Sequence, residues 1–429
     1  MAMKKRTRTI SRRNTLKGIL AAGLAPLAVP SRVLGAEAPS KKITLGFIGM
    51  GSQGTQANLR NFLSQADAKV LAVCDVVARK RDAARDMVNK QYGNADCKAH
   101  VDFRQIIQDK SIDAVVISTP DHWHVPMSLM GLEAGKDVFC EKPTKTIAEG
   151  IALVDLVARR KAVFQIGLED RSVVHYHKMV EWVRNGAIGD LQRVEVQLPG
   201  GTVLPNQPPA EVPKDLDYNL FVGPAEFIPY RPVIVQGNNW RFLRNFGSGS
   251  LLDWGSHQVD TAQLAVNAPE ECAIEAEGTG VIPKDSLTNV VTQFDVTFRY
   301  SNGMEVHVTS SGTGIKLIGS KGWVGNDAWR DRLKASDEKI LHTKYAPDAS
   351  KHWPMPPGEQ RNFLDCVKSR KPTTYTARTM HMLHLTLHMG YLAIVLGRKV
   401  KWDPAKQQFI NDDQANAMCK CEYRDWTKA

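Results

Sequence analysis

The stretch ITLGFIGMGSQG, residues 43–54, decides the fold. Six residues rich in β-branched and apolar side chains lead into Gly49-Met50-Gly51-Ser52-Gln53-Gly54, a G-x-G-x-x-G turn. TQANLRNFLSQA follows with helical spacing. A strand before and a helix after turn a weak motif into a dinucleotide cradle. The first glycine permits the tight turn, the second lets backbone approach a pyrophosphate, and the third lets helix and strand pack closely. Ser52 and Gln53 open the helix, where amide groups and the helix dipole favour an anion. KVLAVCD (69–75) is the next strand, and it ends on Asp75, 21 residues after Gly54. A carboxylate there accepts hydrogen bonds from the adenosine ribose and points to NAD. Arg79, Lys80 and Arg81 keep NADP open.

Working outward, DAVVIST (113–119), DVFCEKP (137–143) and AVFQIG (162–167) are further strands with helices between them. Near-continuous apolar runs separated by amphipathic helices imply a parallel sheet covered on both faces. The pattern changes after about residue 166. A helix over 173–184 and a strand over 191–198 lead into a long Pro-, Gly- and Asn-rich loop (199–240). Alternating strands follow at 272–280, 289–300 and 303–312, with a turn at Ser301-Asn302-Gly303, and 315–325 is a further pair. Helices over 359–369 and 377–396 close the chain. The expected fold is a doubly wound α/β (Rossmann) domain followed by an α+β domain with a large, mainly antiparallel sheet. The expected boundaries are a leader at 1–36, the Rossmann domain at 41–167, the second domain at 168–400 and a tail at 401–429.

The leader holds Arg12-Arg13 ahead of a short apolar run, eight basic residues and no acidic one. It has the form of a twin-arginine export signal, with Thr15 where that pattern usually has Phe. Those eight charges account for most of the net +11 and leave +3 on the rest, which excludes a nucleic-acid or anionic-membrane function as the reading of charge. No further segment reads as long enough and apolar enough to span a membrane. Seven irregularly spaced cysteines give neither a disulfide framework nor a zinc site.

Three stretches carry chemistry: STPDHWHVP (118–126), CEKP (140–143) and GSGSLLDWGSHQVD (247–260). With the glycine turn, they resemble the glucose–fructose oxidoreductase, inositol dehydrogenase and rhizopine-catabolism family, in order and approximate spacing, over nearly the whole chain after the leader. The DHWH version and the ending LGRKVKWDP (396–404) are similar to an exported bacterial subgroup. The resemblance implies a nicotinamide-dependent enzyme acting on a sugar or cyclic polyol, with Lys142, Asp253 and His257 at the catalytic centre. It implies that Thr119, Pro120, His122, His124, Glu141 and Lys142 border the cofactor, and that Arg171 contacts cofactor or substrate.

The residue chemistry agrees. Asp253 and His257, four apart on a helix, share a face. A carboxylate beside an imidazole sets its tautomer, and His257 then takes the alcohol proton as hydride leaves the carbon. The Lys142 ammonium polarises the developing carbonyl oxygen. Either Lys142 or His257 can be the base at this stage. Trp240 and Arg241 offer an indole face and a guanidinium to a sugar. His122 and His124 are read as flanking the nicotinamide, with no metal site. His381, His384 and His388 are read as a helix face at a domain or subunit contact.

An exported chain with a dinucleotide site implies a cofactor that is bound during folding, does not dissociate and is recycled in place. The rival readings are a glycosidase working by transient oxidation and elimination, and a non-catalytic sugar-binding protein. Dimers or tetramers are expected, as are passage through the twin-arginine machinery and a periplasmic location.

Overall fold

The structure, a computed structural model, describes residues 42–266, 268, 270–345 and 355–428. The export-signal reading of residues 1–36 lies outside the described residues. Ser40–Ala429 forms one compact unit.

The first sheet has six parallel strands in the order β3-β2-β1-β4-β5-β6. They are β1 Ile43–Ile48, β2 Ala68–Cys74, β3 Lys98–His100, β4 Ala114–Ile117, β5 Asp137–Cys140 and β6 Phe164–Ile166. This is the doubly wound order expected. β4 and β5 are buried along their whole length, as a sheet covered on both faces requires. β3 was missing from the sequence reading. It is a three-residue edge strand with an exposed lysine and no apolar run.

The second sheet has nine strands in the order β13-β12-β11-β7-β10-β9-β8-β14-β15. In chain order they are β7 Leu191–Gln197, β8 Glu275–Val281, β9 Gln293–Arg299, β10 Glu305–Thr309, β11 Ile315–Gly319, β12 Gly322–Asn326, β13 Lys334–Ala335, β14 Val400–Asp403 and β15 Gln408–Phe409. All pairs are antiparallel except β7 with β10. Val194, Val196, Val296, Phe298, Val306 and Val308 alternate inward, while Arg193, Gln293, Asp295 and Arg299 face solvent.

Two features depart from the expected boundaries. Residues 401–428, expected as a tail, are built into the fold. Trp402 is buried in β14, which pairs with β8, and Phe409 is buried in β15. Beyond them, Tyr423 bonds Glu149, Arg424 Nε donates to the Gly223 carbonyl at 3.0 Å, and Trp426 packs on Trp123 with centroids 5.0 Å apart. The helix Glu359–Ser369 follows the second sheet in the chain but packs on the first. Its Phe363 meets Phe62 and Phe139 edge to face at 6.2 and 5.8 Å, and Phe62 meets Phe47 at 5.7 Å. Arg361 clasps Asp67 at 2.8 Å from the same helix.

Helix Ala377–Leu396 is, by length and composition, long and apolar enough to cross a membrane, contrary to the reading that no further segment was. Most of it is buried, against helix Ile147–Arg160 and β8, so it serves as the central core helix. His384 Nδ1 accepts from the Thr144 amide at 3.1 Å, and His388 Nε2 stands 3.1 Å from the Thr144 carbonyl oxygen. The histidine series therefore meets the loop just after β5.

The loop over 199–240 is ordered. It carries short helices Tyr218–Val222 and Pro232–Val235 and a small core that includes Tyr218, Phe221 and Tyr230 and takes in Phe246 from just beyond the loop. Leu216 bridges to Val77, so this loop is pinned to the chain just beyond β2.

Phe363 is fully buried, and its ring packs helix Glu359–Ser369 against the first sheet together with Leu364 and Val367. Phe363→Ala should cost about 3–5 kcal/mol, read as a fall in the urea midpoint at unchanged slope.

Candidate active site

The C-terminal ends of parallel strands line the ligand crevice of a doubly wound sheet. β1 ends in the glycine turn. Gly49 has φ +90°, and a side chain there would meet the Ser118 backbone at 2.6 Å. A Cβ on Gly54 would sit 1.9 Å from the Gly49 carbonyl oxygen. Gly51 differs: nothing lies within 4 Å of where its Cβ would be. Two glycines are thus required by close packing, while the middle one borders open space, as a pyrophosphate cradle needs. The helix opens with a π-helical stretch, Gln53–Leu59, and exposed Ser52 precedes it.

Asp75 Oδ2 accepts the Met50 amide at 2.7 Å and Oδ1 the Val77 amide at 2.8 Å. Each oxygen keeps a second lone pair for a ribose hydroxyl. Burial pushes the carboxyl up from its ordinary value. Next to it, a cavity of about 720 Å³ is lined by Val76, Arg81, Lys214, Asp217, Tyr218 and Phe227 among others. It shares no lining residue with the lysine–aspartate pair described below. Thr119 Oγ1 and Asp121 Oδ2, just beyond β4, are buried with no hydrogen-bond partner. Open space at Gly51, an aspartate at the end of β2 and orphaned polar atoms at the end of β4 fit a dinucleotide stretched across the sheet.

At the end of β5, Lys142 Nζ donates to Asp253 Oδ1 at 2.6 Å and to the Asp253 carbonyl at 3.2 Å. The Lys142–Pro143 bond is cis. Asp253 ends helix Gly249–Asp253, and the chain continues in helical conformation through Trp254 into helix Gly255–Ala265, which carries His257. Arg241 Nε lies 3.2 Å from Asp253 Oδ2. Burial alone would raise Asp253, but the Lys142 and Arg241 cations outweigh it and hold the carboxyl below the ordinary carboxylate range. Burial pulls Lys142 down, and Asp253 more than offsets it, so its ammonium is held above its ordinary value. Asp121, nearby, is pushed up to about 7 by burial and then by the charge of Asp253.

Several expectations change here. Asp253 does not pair with His257. Its oxygens face Lys142 and Arg241. His257 Nδ1 instead lies 3.3 Å from Asp170 Oδ2. Arg171 makes no contact with the crevice. Its guanidinium is buried in a two-pronged pair with Asp260 at 2.7 and 2.6 Å, and it also donates to the Thr374 carbonyl at 2.9 Å. Its neighbour Asp170 is the residue at the site.

His122 and His124 also offer the crevice no ring nitrogen. His122 lies between the carbonyls of Phe221 (2.9 Å) and Phe246 (3.3 Å). His124 lies between those of Thr119 (2.8 Å) and Pro143 (2.9 Å). Burial pushes them down to about 3 and about 4, so each neutral ring donates to one carbonyl only. Their role is to tie the turn after β4 to the second-domain loop and to the loop after β5. Glu141 Oε1 accepts from Asn58 at 2.8 Å and Gln53 at 3.0 Å, so it braces the glycine helix. Trp240 lies under the Arg241 guanidinium at 4.8 Å. Pro120 caps the helix Asp121–Glu133.

Asp170, Trp254, Trp329 and Arg330 escaped the sequence reading. Asp170 stands just past β6, where the rule that strand ends line the crevice would have flagged it. The loop holding Trp329 and Arg330 carries no motif.

The parallel sheet, glycine turn and crevice define an NAD-binding Rossmann oxidoreductase. Residues 43–168 match the oxidoreductase family's NAD-binding Rossmann fold, and residues 200–428 match its C-terminal alpha/beta domain. The chain belongs to this Gfo/Idh/MocA family. It is similar to inositol 2-dehydrogenase of Salmonella typhimurium, 30% identical over 34% of this chain and 42% of that protein. It is similar to levoglucosan dehydrogenase of Pseudarthrobacter phenanthrenivorans, 28% identical over 56% of this chain and 54% of that one. It is also similar to a glycosyl hydrolase family 109 protein of Shewanella baltica, 30% identical over 42% and 44%. The chain spans about half the length of the curated relatives it matches. The fold is that of aldose-aldose oxidoreductase from Caulobacter crescentus, with a TM-score of 0.61 at 19% identity over 84% of this chain and 100% of that one.

Two outcomes follow from the charges. Arg171→Ala leaves Asp260 buried without its cation and should cost about 3–5 kcal/mol in urea unfolding. The Lys142–Asp253 pair gives a pH signature. Asp253 is depressed in the fold, so its contribution is present above the unfolded value of about 3.9 and is lost as pH falls further. Lys142 is raised, so its contribution is present below about 10.4 and is lost as pH rises through the higher folded value. The stability gap between wild type and Asp253→Asn should therefore narrow as pH falls below about 4, measured by urea midpoints.

Proposed function

We propose that this protein interconverts a secondary alcohol and a ketone on a sugar, sugar derivative or cyclic polyol, using an NAD that stays bound between turnovers. The observation that carries this is the 2.6 Å Lys142–Asp253 pair, which joins a strand end of the Rossmann sheet to a helix of the second domain. The glycine turn and Asp75 would hold the dinucleotide. When bound, the nicotinamide supplies the acceptor for a hydride from the carbinol carbon, or the donor in reverse.

The chain's own residues do the rest. Asp253 keeps Lys142 protonated, and the ammonium stabilises negative charge on the substrate oxygen as the carbonyl forms. A lysine held this way is a poor base, so the hydroxyl proton goes to His257. Its Nδ1 is turned to Asp170, and Nε2 has no protein partner among the described residues. Trp254 and Trp329 stand near the imidazole, with ring centroids at 6.0 and 5.5 Å, and Arg241 adds a donor fork. Indoles and a guanidinium suit the C–H faces and hydroxyls of a sugar ring.

Two further parts of the proposal concern the whole protein. The Arg12-Arg13 leader supports export of the folded chain through the twin-arginine route to the periplasm, with the cofactor carried inside and recycled by a second carbonyl substrate. Changing both arginines to lysine should leave the protein in the cytoplasm on fractionation. Self-association as a dimer or tetramer would use the polar outer face of the nine-stranded sheet, and light scattering reads the mass.

Protein purified without added cofactor should release NAD on denaturation, seen by mass spectrometry. A sugar and polyol panel followed by 340 nm absorbance and product mass should yield a keto product. Release of free sugar from a glycoside would instead favour the hydrolase reading, and binding without product the sugar-binding one. Lys142→Met should lower turnover about 100-fold or more while keeping the dinucleotide.

A further inference from the structure

Asp170 occupies a 3₁₀ turn, Glu169–Ser172, directly after β6. It is buried, and three side chains surround its carboxylate. Trp329 Nε1 donates to Oδ2 at 2.8 Å. Arg330 donates to Oδ1 through Nε at 3.0 Å and through its terminal nitrogen at 2.9 Å. His257 Nδ1 lies 3.3 Å from Oδ2. Burial raises the Asp170 carboxyl, but His257, Trp329 and Arg330 together leave it below its ordinary value.

The His257 ring stands among indoles. Trp329, which bonds Asp170, faces it at 5.5 Å, and Trp254 lies at 5.4 Å from Trp329. Nδ1 is buried and makes no hydrogen bond of regular geometry, and Asp170 Oδ2 at 3.3 Å is the carboxylate beside it. Donor atoms of Glu169, Asp170 and His257 all lie within 4.8 Å of one another. The cation between the two carboxylates is Arg330, 2.9 Å from Asp170 and 3.3 Å from Glu169. The anionic charge a metal would need is already neutralised.

We propose that Asp170, braced by Trp329 and Arg330, is the positioning residue for His257. It draws the imidazole proton to Nδ1 and so leaves the Nε2 lone pair facing the substrate. The reasoning rests on the proposed oxidoreductase function. In the alcohol-oxidising direction the substrate O–H breaks, Nε2–H forms, the C–H pair leaves as hydride to the nicotinamide, and C=O forms. Without Asp170 a neutral imidazole is free to carry its proton on Nε2, where it blocks proton uptake. The aspartate four residues before His257 cannot do this work, because both its oxygens face Lys142 and Arg241.

The test uses full-length protein with ¹⁵N-labelled histidine, the His257 signals being assigned by their loss in His257→Gln. At pH 8.5, long-range ¹H–¹⁵N spectra of wild type should show a protonated Nδ1 and a bare Nε2. In Asp170→Asn, the two Arg330 donors hold the amide oxygen at the Oδ1 position, so the amide NH₂ takes the Oδ2 position beside His257 and the tautomer should reverse. Turnover of whichever panel sugar reacts should fall about 100- to 10,000-fold in kcat, with KM within about threefold. In the His257→Gln background the same substitution should cost less than about twofold further. Should Asp170→Asn fail to fold, Trp329→Phe keeps the ring, removes one donor and should weaken the Nδ1–H preference. An unchanged tautomer in a folded variant, or full additivity with His257→Gln, would overturn the proposal. So would stoichiometric zinc bound by wild type and lost on Asp170→Asn. The spectra need no substrate, so a panel that yields no turnover would fail the proposed function and leave the tautomer result standing.

Discussion

The site rests on a buried ion pair between two parts of the chain that sequence keeps 111 residues apart. Lys142 is delivered by β5, and Asp253 by a helix of the second domain. Their side chains are only 9% and 12% exposed. A lone ammonium or carboxylate at that depth would be strongly disfavoured, so each charge is tolerable only because the other is there. The pair therefore constrains how the second domain sits on the Rossmann sheet. It also stands at the edge of a crevice whose far end is the glycine turn, and the residues between them serve to keep that crevice in shape.

Those residues are mostly polar and buried, and their partners are backbone. His122, His124, Lys145 and His388 each reach a carbonyl in a neighbouring segment. Lys145 donates to Gly247 at 2.6 Å, two residues before the helix bearing Asp253. Buried polar groups without partners are costly, so a set of them matched to backbone oxygens favours one arrangement of the segments over slipped ones. The C-terminal residues add a clasp over the outside, from Glu149 through Tyr423 to Arg424 at Gly223.

Much of this was legible in the sequence, for local reasons. β1, β2, β4, β5 and β6 announce themselves as apolar runs because a sheet buried on both faces needs them. Gly49 and Gly54 are legible because only glycine fits. Lys142 is legible because it ends such a strand. What stayed hidden depends on contacts between distant segments. β3 is too short and too polar at the edge to leave a pattern. The parallel pairing of β7 with β10 has no local mark. Arg171 and Asp170 are neighbours in one turn, and which of them faces the crevice follows from the turn's orientation, not from residue type. The guanidinium went inward to Asp260 and the carboxylate went to the site. Trp329 and Arg330 arrive from a loop after β12, with nothing in their surroundings to mark them.

The same geometry bears on a question that the motif leaves open, namely which group is the base. A lysine serves as a base when burial or a neighbouring cation drives its proton off. Lys142 is buried and has Arg241 nearby, yet Asp253 at 2.6 Å reverses the balance and keeps the ammonium charged. A group so held can stabilise an oxyanion but has no lone pair to give. His257 has the opposite arrangement, with one nitrogen turned to a carboxylate and the other with no protein partner among the described residues. Two aspartates thus divide the labour. On the proposed mechanism Asp253 fixes a charge and Asp170 a tautomer, and separate cations, Arg241 and Arg330, stand beside them. An arrangement with one aspartate shared by both would couple the two proton states. In the proposed reaction the oxyanion donor would stay charged while the base changes its protonation, as reversible hydride chemistry on one carbon requires.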